Sequence, residues 1–99
     1  MKLHLGGWEA KEGWKIFNIQ KRDHVDFVGD ISDLSQFKDS SINEVYASHV
    51  FEHVKYIDVK KTLLGIYRIL VAGGKFYISV PNMDILFSQF LEKKKSNQN

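Results

Sequence analysis

Cysteine is missing from all 99 residues, and proline occurs once, at Pro81. The chain can therefore form no disulfide, no thiolate metal site and no cysteine nucleophile. Long apolar runs are missing too: nothing approaches the roughly 20 residues that a membrane-spanning helix requires. Near the start, Lys2 and His4 interrupt a very short apolar stretch, so no secretory signal is read there. No membrane association and a cytoplasmic location are the expectations. Nor is there a strong charge of either sign, the net being +2. Part of that excess lies in Lys93–Lys95, which with Ser96–Asn99 reads as a polar, solvated tail over 93–99. Lys11, Lys15, Lys21 and Arg22 lie near aromatics, but neighbouring acids balance them and no reader motif accompanies them. Nucleic-acid binding is not expected.

What is present is an ordinary globular composition, 43% hydrophobic and 13% aromatic, sufficient for one domain over residues 1–92. Runs rich in β-branched and aromatic residues, bounded by Gly, Asp and Ser, predict strands at Lys2–Leu5, Trp14–Ile19, Val25–Val28, Ile42–Ser48 and Lys75–Val80. Val59, Leu63, Ile66 and Leu70 fall at helical spacing and predict a helix over Asp58–Leu70, with Gly73–Gly74 as its exit. A second helix is read over Met83–Lys94, its lysines at the end where the helix dipole favours cations. A short helical turn is read at Phe51–Val54.

The strand–helix–strand run from Ile42 to Val80 implies a parallel pair with a right-handed crossover. The first half is different, because Gly6–Gly13 and Gln20–His24 are too short to hold crossover helices. Helices over one face only should leave the strands alternating. They do: Leu3 and Leu5 alternate with Lys2 and His4, and Phe76, Ile78 and Val80 with Lys75, Tyr77 and Ser79. A face carrying His4, Tyr46 and Tyr77 suits a subunit interface better than open water. A homo-oligomer, a dimer through the sheet face lacking helices, is the expectation.

Three segments could carry chemistry. LHLGGW at Leu3–Trp8 puts Gly6 and Gly7 directly after a strand, where missing side chains admit a ligand to the backbone; a plain glycine turn is the other reading. YASHVFEHV at Tyr46–Val54 carries His49 and His53 four residues apart, with Glu52 beside them. Two imidazoles on one helical face could begin a zinc site. No third ligand stands at metal spacing, so no metal is expected, and His53 reads equally as a packed structural residue or a base. YRILVAGGKFYISVPN at Tyr67–Asn82 is mostly architectural, its glycines and proline governing turns.

In order and spacing these segments resemble the nucleotide-binding half of a class I S-adenosylmethionine-dependent methyltransferase, from about Leu3 to Leu86. The resemblance implies an α/β fold, a truncated Rossmann-like domain with a mainly parallel five-stranded sheet and helices mostly on one face. It implies S-adenosylmethionine as cofactor and an enzyme acting on a small-molecule or otherwise undefined methyl acceptor. Gly6 and Gly7 would pass under the methionine part of the cofactor, with Ser48 and His49 near the sulfonium. Asn18 aligns with the acid that accepts the ribose hydroxyls, and an amide cannot take two charge-assisted bonds there unless Asp23 or Asp26 compensates. Asn18 as a strand-end turn former is the alternative. Asp30 matches the group that meets the adenine amine, with Ile31 against the ring; a local cap is the competing role. His53 or His49 would be the base. Such proteins normally continue through two more strands and an acceptor-binding cap. The competing expectation is a non-catalytic remnant acting as an oligomeric interaction subunit.

Overall fold

The computed structural model describes residues 1–7, 9–48, 50–51, 54–80 and 83–86, the backbone alone at 80 and 83–86. Strands β1 (Lys2–Leu5), β2 (Trp14–Asn18), β3 (Phe27–Val28) and β4 (Ile42–Ser48) precede helix α1 (Tyr56–Ile69), which leads into β5 (Leu70–Val80) and β6 (Met83–Leu86). They form a six-stranded sheet in the order β3-β2-β1-β4-β5-β6. β1 to β5 are mutually parallel and β6 runs antiparallel to β5. This is the expected mainly parallel α/β sheet with one strand more.

That extra strand corrects the reading of a helix from Met83. Apolar residues in MDIL fit either period over four positions, and the open edge of β5 decides: Tyr77–Val80 pair with Met83–Leu86. An edge with unpaired N–H and C=O groups gains a full ladder from a short returning segment. The remainder of that predicted helix, 87–94, lies outside the described residues.

The paired glycines also act elsewhere than expected. Helix α1 ends at Ile69, and Gly73 and Gly74 lie inside β5. Between the pairs Ile42 with Leu70 and Glu44 with Lys75 the register shifts, so β5 carries additional residues opposite β4. Gly73 takes φ +81 there, the conformation that a bulge demands and other residues resist.

One face of the sheet holds the main core. Leu3, Leu5, Phe17, Val45, Ala47, Phe76 and Ile78 pack with Ile66 and Ile69 of α1 and with Leu34 and Phe37 from the β3–β4 connection. That connection also completes the helix end. Ser40 and Ser41 donate their backbone N–H groups to the carbonyls of Arg68 and Ile69, which have no N–H donor within the helix itself. Arg68 returns the favour from its side chain, donating to the Leu34 and Phe37 carbonyls at 2.7 and 2.9 Å and pairing with Asp39 at 2.6 Å.

The opposite face follows from the alternation. His4 stacks on Tyr46 with ring centroids 4.9 Å apart, and Trp14 meets Tyr46 edge-on at 6.3 Å. The Nζ atoms of Lys2 and Lys11 each lie 5.7 Å from the Trp14 ring centre, within cation–π range. Gly7 rests directly on the His4 ring, where an added Cβ would come within 2.6 Å of Nδ1. The short β1–β2 connection thus crosses this face without a helix. Tyr46 and Tyr77 are half-buried there, while the large exposed apolar side chains include Tyr56, Ile57 and Leu64 on α1. No helix among the described residues is long and apolar enough to cross a membrane.

Candidate cofactor site

The carboxyl ends of β1 and β2 open into a cleft of about 540 Å3, with Gly6 and Asn18 on its floor and Gly29, Asp30, Ile31 and Ser32 along the β3 side. Val50, Val54, Lys55 and Asp58 line it as the chain passes from β4 into α1. A second hollow of about 420 Å3 meets it at Gly6 and is bordered by His4, Gly7, Glu9, Lys11 and Ser48. Strand ends where the sheet order reverses, here between β1 and β4, are where open α/β sheets bind ligands.

Gly6 is irreplaceable by geometry. Its φ is +82, and a Cβ would sit 2.1 Å from Val50 Cγ1. Its N–H donates to the Phe17 carbonyl at 2.7 Å, fastening the turn after β1 to β2. Asn18 is 4% exposed and spends its amide on the protein: Nδ2 donates to the Gly7 carbonyl at 2.9 Å and Oδ1 accepts from the Gln20 N–H at 3.1 Å. Its own carbonyl accepts from Gly29 N–H. Asp26, weighed above as a substitute acid, extends the strand ladder instead, its Oδ2 accepting from the Ile16 N–H at 2.8 Å.

Asp30 Oδ1 accepts from both the backbone N–H and the hydroxyl of Ser32, at 2.9 and 2.8 Å. Those two bonds hold its carboxyl below the usual range, so it is ionised at neutral pH while Ile31 beside it packs against the core. In the second hollow, burial and then the Lys11 charge push the His4 imidazole below its ordinary value. His4 Nε2 is buried and has no hydrogen-bond partner among the described residues.

Of the residues singled out from sequence, the structure brings Gly6, Asn18, Asp30 and Ile31 into one cleft and Gly7 and Ser48 into the adjoining hollow. His49 and His53 lie outside the described residues. Sequence reasoning passed over Ser32, Lys55 and Asp58. Ser32 was legible as the third member of an Asp-x-Ser turn, whereas Lys55 and Asp58 carry no local signal and reach the cleft because α1 begins beside it. Among the described residues no group of three or more His, Asp or Glu gathers in a metal-binding cluster.

A mainly parallel sheet in the order β3-β2-β1-β4-β5-β6, with a glycine turn after β1 and a cleft across its strand ends, defines a Rossmann-like α/β domain. The methyltransferase domain family model matches residues 11–78, and the chain belongs to that family. No curated protein matches it. Among solved structures, a chain of the complex between the Haloferax volcanii Trm112 methyltransferase activator and a proposed methyltransferase is 26% identical, with a TM-score of 0.57 over 80% of this chain and 44% of that one. A proposed S-adenosyl-L-methionine-dependent methyltransferase of Methanococcus maripaludis is 15% identical, with a TM-score of 0.57 over 98% of this chain and 53% of its own, and shares the fold. The chain spans about half the length of these structures.

Proposed function

We propose that this domain binds S-adenosylmethionine across the ends of β1, β2 and β4 and takes part in methyl transfer. The carrying observation is the pair of hollows joined at Gly6. The larger lies within the roughly 300–1,000 Å3 typical of small-molecule sites and suits an adenosine, with ionised Asp30 toward the adenine amine and Ile31 against the ring. The smaller suits the aminocarboxylate tail, since Glu9 and Lys11 offer it charges of both signs.

When bound, the cofactor would supply a methyl group activated by its sulfonium. The residues of this chain contribute chiefly orientation. Gly6 and Gly7 would give the backbone close access, Ser48 borders the smaller hollow, and His49 or His53 would take the acceptor's proton.

A specific observation favours a subunit role alongside this. The Haloferax protein is found in complex with the Trm112 activator. The arrangement proposed is a second copy docking on the His4, Tyr46 and Tyr77 face. If the cofactor site has lapsed, what remains is a non-catalytic interaction subunit.

Thermal denaturation with S-adenosylhomocysteine separates the two. Ligand at 100 times its dissociation constant adds about 2.7 kcal/mol, which for a domain of this size raises the melting temperature by roughly 10 °C or more. An unmoved transition at millimolar ligand would reject cofactor binding and leave the interaction subunit.

A further inference from the structure

We infer that Asn18 is a positioning residue that latches the glycine turn, and that an aspartate there would weaken nucleoside binding. The inference rests on the cofactor reading just given, but its core is a property of the free chain.

The side chain at the end of β2 must donate on one side and accept on the other. Nδ2 donates to the Gly7 carbonyl at 2.9 Å, and Oδ1 accepts from Gln20 N–H at 3.1 Å. Only an amide offers both at this size, because an ionised carboxylate is acceptor on both oxygens. An aspartate would set a charged oxygen against the Gly7 carbonyl in a site where Asn18 is 4% exposed, and two facing acceptors in a buried position repel and go unsatisfied. What is held is the floor shared by both hollows. Gly6 borders each of them, Gly7 borders the second, and the turn rests on His4 on its other side. Releasing the Gly7 carbonyl frees the peptide on which the ligand would lie. Asp26 lines neither hollow, its Oδ2 accepting from the Ile16 N–H.

The decisive variants are Asn18→Asp and the uncharged Asn18→Ala, studied first without ligand. Urea unfolding at pH 7 should show the unfolding equilibrium constant of N18D raised at least tenfold. That deficit should shrink as pH falls toward 4, where a protonated carboxyl can donate to the Gly7 carbonyl. A variant as stable as the parent at pH 7, or a deficit that does not shrink on acidification, overturns the latch.

Calorimetry with S-adenosylhomocysteine and its 2′-deoxy analogue then asks how the residue acts. N18A should weaken both ligands by the same factor, about tenfold, because the loss is transmitted through the turn and not through the ribose. A factor that differs severalfold between the two would assign Asn18 a direct ribose contact, and tighter binding by N18D would do the same; either overturns the inference. Parent protein that binds neither ligand would reject the cofactor reading alone, and the urea measurement still decides the latch.

Discussion

At the scale of single residues, two glycines with the same backbone conformation have different reasons to be glycine. Gly6 and Gly13 have φ of +82 and +86, but an added Cβ at Gly6 strikes Val50 while at Gly13 it meets nothing within 4 Å. Gly13→Ala should cost about 1 kcal/mol from backbone strain alone, and Gly6→Ala about 3 kcal/mol or more once the clash is added. Urea denaturation of the two variants side by side measures the difference, and equal losses would deny the tight packing of the turn on Val50.

His4 gives a prediction in pH. Its folded pKa is lowered by burial and by Lys11, so below the ordinary 6.5 the unfolded chain binds the proton more readily than the folded one. The contribution of His4 is complete above that value and is lost as pH falls from it toward the folded pKa. His4→Phe keeps the stack on Tyr46, removes the titrating imidazole, and should flatten the slope of melting temperature between pH 7 and 5.5. A slope unchanged in the variant would assign it to other groups.

At the scale of elements, the fold depends on how α1 is tied to the long β3–β4 connection. Arg68 bridges Leu34 O, Phe37 O and Asp39 with one guanidinium, and the connection caps the helix end through Ser40 and Ser41. The exposed ion pair with Asp39 contributes little; the two carbonyl bonds to a charged donor matter more. Arg68→Ala should cost about 2–3 kcal/mol. Arg68→Lys should recover less than half of this, since an ammonium cannot reproduce the planar fork. Chemical denaturation tests both, and full recovery by lysine would mean that charge alone suffices. A different economy governs Thr62, whose buried hydroxyl has no partner in the described structure.

At the scale of the whole molecule, the sheet is covered by α1 and the β3–β4 connection on one side and by a short glycine loop on the other. His4, Tyr46, Tyr77 and Trp14 form that second, half-buried aromatic face. Sedimentation at tens of micromolar should find a dimer, and Tyr77→Glu should shift it to monomer with unchanged circular dichroism. A parent chain that sediments only as monomer contradicts the interface. The exposed Tyr56, Ile57 and Leu64 on α1 name the competing surface, which Ile57→Glu would disrupt instead.

Much of this arrangement could be read before any coordinates. Alternation in Lys2–Leu5 and Lys75–Val80 told which side chains face the core, because a strand has a period of two whatever its partners. The helical spacing before Gly73, and the glycines after Leu5, are equally local. Gly6, Asn18, Asp30 and Ile31 were read together from the family resemblance, and parallel strands bring the turns that follow them to one end of the sheet. Three things required the tertiary structure: that Met83–Leu86 pairs with β5, that Gly73 makes a bulge inside a strand, and that the Asn18 amide and the Asp26 carboxylate are already bonded to Gly7 and Ile16. Each depends on which group lies across a gap from another. Local sequence sets the period and the turns of a chain, whereas the partners of a strand edge or a buried amide are chosen only when distant segments meet.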